Sequence, residues 1–232
     1  MFWLRTVSLG VVLLCAAPSA ALAHDEADTQ PPKESRAVIA GNVGRMPWKP
    51  MFDGSWAGWS QRAADGAFEP VAEAPAGWTI VGEDGLVGDN RSGSTAVAFG
   101  EPSWRNVEVS ARVTPQAGGN AAIMFRIDEG GDGWYTFDLM LGWQVAAIYK
   151  LVRNDEGRMQ LTKLSTVNYA FSRDREYDIQ IAARDHSITT YIDGELVNQL
   201  TDDTWSRGRV ALSIWHAKTQ YRDLRYRVLD EG

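Results

Sequence analysis

The stretch 120–139, NAAIMFRIDEGGDGWYTFDL, constrains the fold more than any other part of the chain, because it reads as two strands joined by a glycine-rich turn. Side chains of a strand point alternately to its two faces. Ala121, Ile123, Phe125 and Ile127 therefore share one face, and Ala122, Met124, Arg126 and Asp128 the other. Tyr135, Phe137 and Leu139 repeat the apolar face in the second strand, opposite Thr136, Asp138 and Met140. The pattern predicts one buried and one solvated face. Arg126 and Asp138 would then stand together on the solvated face, a sheet surface able to hold a ligand.

The same grammar recurs along the chain. Short strands are predicted at Gly77 to Val81, Gly85 to Val87, Ser94 to Phe99, Asn106 to Val113, Ala121 to Ile127, Trp134 to Met140, Gln144 to Val152, Arg158 to Thr166, Glu176 to Ala183, Ser187 to Ile192, Arg209 to Trp215 and Gln220 to Val228. Glu83-Asp84-Gly85, Gly118-Gly119, Gly130-Gly131, Glu156-Gly157 and Asp193-Gly194 supply the turn chemistry between them. No long segment after residue 23 has helical apolar period, so the chain is predicted to be all-β, two stacked antiparallel sheets rather than an α/β enzyme.

The first 23 residues differ in character. Arg5 precedes an apolar run, Val7 to Ala17, followed by Pro18 and Ala21-Leu22-Ala23. This reads as a secretory signal peptide cleaved near Ala23, with an apolar run too short for a membrane span. The alternative, lipidation at Cys15, is disfavoured by Leu14, where a small residue is expected. Cys15 is the only cysteine among 232 residues, so the secreted or periplasmic mature chain would stand on its core without disulfides. Residues 24–47, polar and broken by Pro31, Pro32 and Pro47, read as a flexible tether, leaving 48–232 as one β-sandwich domain. The net charge of −7 becomes −8 once Arg5 is removed, and with no basic run the chain lacks the footprint of a nucleic-acid binder.

Several residues are candidates for chemistry. Arg126 and Asp138 could bind sugar hydroxyls as forked donor and acceptor, or simply form a cross-strand ion pair. The chain has 10 tryptophans, and Trp143 and Trp215, at strand ends, could stack on sugar rings, with Arg91 at the rim. His216 could act as a general base near neutrality, or be structural. Asp128, Glu129 and Asp132 surround glycines in a composition that suits Ca²⁺, although a plain exposed hairpin tip is the better reading.

Six phrases occur in a telling order: MFDGSWAGW (51–59), WTIVGEDGLVG (78–88), WRNVEVSARV (104–113), IMFRID (123–128), TYIDGELV (190–197) and GRVALSIWHAKTQYRDLRY (208–226). Together they resemble the concanavalin A-like jelly-roll superfamily, and within it the 3-keto-disaccharide hydrolase-type domains, over residues 51–229. The resemblance implies a concanavalin A/laminin-G-like jelly-roll sandwich whose partner is a glycan or small saccharide. Where those enzymes commonly carry Gly-Tyr-Glu-x-Gln, this chain has Trp134-Tyr135-Thr136-Phe137-Asp138. Thr136 thus replaces the Glu, and the carboxylate moves two residues, about 6.6 Å, along the same face. Three functions are compatible: a carbohydrate-recognising domain, a keto-disaccharide or glycoside hydrolase or lyase in which Asp138 and His216 divide acid and base work, and a protein-interaction module without a small ligand. No cofactor is required by any of them.

Overall fold

The computed structural model describes residues 46–64 and 66–229. The expected signal peptide with its cleavage near Ala23, Cys15 and almost all of the expected tether lie outside these residues. Thirteen strands are present among the described residues: β1 (Lys49–Pro50), β2 (Trp59–Arg62), β3 (Phe68–Pro70), β4 (Trp78–Val81), β5 (Gly85–Phe99), β6 (Val107–Ile127), β7 (Gly133–Met140), β8 (Val145–Arg153), β9 (Met159–Asn168), β10 (Tyr177–Arg184), β11 (Ser187–Ile192), β12 (Glu195–Thr201) and β13 (Arg209–Val228). Every pairing between them is antiparallel. No helix among the described residues is long and apolar enough to cross a membrane.

The hydrogen-bonded ladder is continuous because β5, β6 and β13 bend and serve both layers of a jelly-roll sandwich. Their near halves build the front layer, β9-β8-β7-β6-β13-β5-β2-β3, in which Ala122 pairs with both Asp138 and Ser213. Their far halves join the rear layer, β12-β11-β10-β6-β13-β5-β4, in which Val109 pairs with Ile181 and Tyr226, and Tyr221 with Val113 and Leu86. Six predicted strands are therefore three long ones. What reads as a turn at Gly118-Gly119 is a corner: Gly118 has φ +82°, and β13 turns beside it at His216, with φ +49°. A Cβ on Gly118 would collide with the His216 carbonyl, so only glycine fits.

The core lies between the layers. Val109, Ala111, Ile179, Ile181 and Ile188 from the rear layer meet Ile123, Phe125, Phe137, Ile148 and Leu212 from the front. The alternation of Val107 to Val113 places its apolar face here as predicted, yet Glu108 on the opposite face is also fully buried, held between Arg184 and Arg227. The Asp193-Gly194 turn closes the β11–β12 hairpin with both residues at positive φ, the twist-compatible geometry for a two-residue loop.

Candidate functional site

β7 departs from the sequence expectation. All eight of its residues are buried, on both faces. The outer face of the front layer is therefore not solvated sheet but the floor of a cleft of about 910 Å³, within the range that small ligands occupy.

The strand register orders the cleft into rows. Met140 pairs with Asn120, which pairs with Trp215. Asp138, Ala122, Ser213 and Ala96 form the next row in the same way. Thr136 follows, flanked by Tyr149 and Met124, and then Trp134, which pairs with Leu151, which in turn pairs with Leu161. From Met140 to Trp134 is six residues, about 20 Å of extended strand.

Asp138 sits low in this floor. Its direct neighbours on either side are Ala122 and Ala147, too short to wall it off and too apolar to solvate it. Burial raises its carboxyl to about 7, while the Thr136 hydroxyl, a hydrogen-bond partner, pulls the other way. A carboxyl that exchanges its proton near neutrality can serve as acid or base, and such groups cluster at functional sites.

Tyr149 and Met140 cover that carboxyl. Tyr149 starts opposite Thr136, and its hydroxyl donates to Met140 Sδ at 3.4 Å. Thr136 and Met140 lie four residues apart, about 13 Å, with Asp138 midway. The phenol and the thioether must therefore lean toward each other along β7, past Asp138, to meet. Burial raises the Tyr149 phenol, and the neighbouring Asp138 raises it further. A thioether is a weak acceptor, so a ligand hydroxyl would be a better partner for Tyr149 than Met140 is.

The tryptophans divide sharply. Trp56, Trp59, Trp78 and Trp134 are buried, whereas among the described residues only Trp143, 71% exposed, and Trp215, 53% exposed, leave most of an indole in solvent. Both line the same end of the cleft. Trp143 is held there by the turn after β7, where its N–H donates to the Met140 carbonyl at 3.2 Å.

Other candidates are placed elsewhere. Arg126 does not share a face with Asp138. It has φ +52° at a bulge between β6 and β13, which inverts the alternation, so Phe125 joins the main core and Ile127 the cleft-side cluster with Met124 and Trp134. Its guanidinium is fully buried and donates from Nη1 to the Trp205 carbonyl at 3.0 Å. Burial pushes it below its ordinary value, against the opposing influence of Tyr135 and Asp185.

His216 likewise occupies a bulge. Trp215 faces the cleft and Ala217 the core, and the intervening imidazole turns to the rim with Nδ1 3.2 Å from the Arg91 carbonyl. The structure does not bring it to Asp138. Arg91 itself is exposed and pairs with Asp89 at 3.1 Å. In the β6–β7 loop, Asp128 caps its own turn by accepting from the Asp132 N–H at 2.8 Å, and Asp132 pairs with Arg153 at 2.7 Å. Among the described residues no three potential metal ligands converge.

Sequence reasoning missed Tyr149, Asn120, Arg62 and the apolar end of the cleft. The available signal was Val145 to Val152, VAAIYKLV, whose apolar character continues on both faces: Ala146 and Ile148 enter the core while Ala147, Tyr149 and Leu151 face the cleft. A two-faced apolar strand in a two-layer sandwich implies something covering its outer side.

Residues 47–227 match the family described as the 3-keto-alpha-glucoside-1,2-lyase-like domain. The chain belongs to this family. A 129-residue stretch is 26% identical to an extracellular exo-alpha-L-arabinofuranosidase of Streptomyces chartreusis, and it covers 54% of this chain but only 15% of that protein. The fold is shared with the carbohydrate-binding module CBM66 of Bacillus subtilis, at TM-score 0.58 and 18% identity over 72% of this chain and 93% of that one. It is also shared with the kappa-carrageenase of Pseudoalteromonas carrageenovora, at TM-score 0.55 and 10% identity over 83% and 98% of the two chains.

Proposed function

We propose that this domain of the 3-keto-alpha-glucoside-1,2-lyase-like family binds a saccharide in the front-layer cleft. The observation that carries the reading is the arrangement of two exposed indoles, Trp143 and Trp215, at one end of a cleft whose floor holds the buried carboxyl of Asp138. Indole faces stack on the apolar faces of sugar rings, and a recessed carboxyl with Asn120, Thr136 and Tyr149 around it supplies directional partners for hydroxyls. The signal-like leader and the extracellular relative support a secreted or periplasmic location.

Isothermal titration with mono- and disaccharides, in ordinary and 3-keto form, tests this. Binding should weaken roughly threefold to tenfold in Trp143→Ala or Trp215→Ala, about 0.5–1.5 kcal/mol each, with little change in melting temperature. Unchanged affinity in both variants, or no binding to any sugar, would remove the reading.

A second reading, catalysis, is favoured by the position of Asp138 near pH 7. In a 3-keto-glucoside the hydrogen on C2 lies alpha to the carbonyl. Ionised Asp138 could take that proton, the electron pair forming the C1–C2 double bond as the C1–O bond breaks, with Tyr149 placed to donate a proton to the departing oxygen. His216 has no part in this scheme. Following a 3-keto disaccharide by NMR distinguishes the readings: turnover that disappears in Asp138→Asn while binding persists is the signature of the lyase, and unaltered sugar leaves recognition alone.

A further inference from the structure

The saccharide reading accounts for only one end of the cleft. Beyond Thr136 the lining changes: Trp134, Leu151 and Leu161 lie side by side on three neighbouring strands, with Met124 and Met159 on either side. Trp134 and Met124 are nearly buried, whereas Leu161 on the edge strand β9 is 59% exposed, so an apolar strip runs from the cleft floor out to solvent. The Arg62 guanidinium lies over the Trp134 ring at 4.8 Å, so a cation caps the indole where the strip begins.

This lining does not suit a second sugar ring. A pyranose presents hydroxyls on every edge, and burying them against Leu151, Leu161 and Met159 would leave them without partners. Thioethers and leucines instead form a deformable apolar surface suited to a flexible chain. The strip starts about 13 Å along β7 from Asp138, the distance from residue 138 to residue 134, so a glycoside seated at Asp138 would direct its aglycone along it.

We infer that the ligand is a glycoside carrying a linear alkyl or acyl chain, its sugar between Trp143, Trp215 and Asp138 and its chain along Trp134, Leu151 and Leu161. This rests on the saccharide reading for the position of the sugar. The test uses methyl, butyl, hexyl, octyl and phenyl α-glucosides, kept below micelle formation, titrated into the wild type and into Leu161→Gln and Met159→Gln. Affinity should rise roughly threefold to fourfold for each methylene buried, and the rise should flatten in both glutamine variants while methyl glucoside binding is unchanged.

A flat series in the wild type overturns the inference, as does a rise that survives both substitutions, which would put the chain elsewhere. Phenyl glucoside binding more tightly than hexyl glucoside overturns it in favour of a rigid aryl group. Octyl glucoside that binds in a manner sensitive to Leu161→Gln, while methyl glucoside and free sugars do not bind, upholds the chain site and removes the saccharide reading instead.

Discussion

Replacing Asp138 with asparagine removes an ionisable group from the cleft floor with almost no change of shape. In the folded protein the carboxyl ionises at about 7, against 3.8 for the free side chain. Between those values the unfolded chain has released its proton and the folded chain retains it. The unfolded state then binds fewer protons, so wild-type stability falls as pH rises through this window and levels off above it. Three units correspond to about 4 kcal/mol, an upper bound because the asparagine amide must itself find partners. For a domain of this size that is roughly 8–16 °C in melting temperature. Asp138→Asn should therefore melt well above the wild type at about pH 8.5, and the gap should close toward about pH 4. Thermal melts of both proteins across this range, monitored by near-ultraviolet circular dichroism, provide the comparison. Because other titrating groups are common to both, the difference isolates residue 138. A gap that is constant across the range would show that this carboxyl is not desolvated in the folded state, and the acid–base reading of the cleft would lose its basis.

Gly118→Ala forces a side chain into the His216 carbonyl at φ +82°; urea unfolding should show a loss of about 3 kcal/mol or more. Burial pushes the Asp202 carboxyl up, but hydrogen bonds from Lys150, Thr204 and Tyr135 outweigh this and hold it well below the usual range. Its contribution is thus present at neutral pH and lost in acid, so Asp202→Asn should cost about 2 kcal/mol in denaturant melts at pH 7 and progressively less as pH falls below 4. Arg126→Met removes a buried guanidinium whose Nε and Nη2 have no partner; stability should stay within about 1 kcal/mol and saccharide affinity should not change, an outcome that titration calorimetry checks directly.

The all-β class and most strand positions were legible because they depend on local alternation. Corners were not. Gly118-Gly119 carries the same chemistry as a hairpin turn, and only the continued pairing of β13 with both sides, Trp215 with Asn120 and Ala217 with Gly118, makes it a bend within one strand. That pairing joins residues nearly a hundred positions apart, beyond any local pattern. β2 and β3 escaped notice for another reason: WSQR and FEP are too short to show a period, and FEP ends in proline. In the site, Asp138, Trp143 and Trp215 were identifiable by residue type and strand position, and the structure places all three along one cleft. Arg126 was misassigned to Asp138's face because the bulge that inverts it leaves no mark in FRID, where the apolar and polar residues still alternate.

The threading of β5, β6 and β13 through both layers has a consequence for how the molecule is made. β13 pairs with β6 on one side from Arg209 to Val228 and with β5 on the other from Val210 to Tyr221, and it follows every other described strand in the chain. Until it arrives, β5 and β6 have no contact across the gap that it fills, and neither layer has a middle. The preceding strands can form hairpins such as β7–β8 and β10–β11, but assembly must wait for the final segment to close between partners about a hundred residues away. Such sequence-distant closure is intrinsically slow. The domain should therefore emerge from synthesis as an open collection of hairpins and become protease-resistant in a single late step.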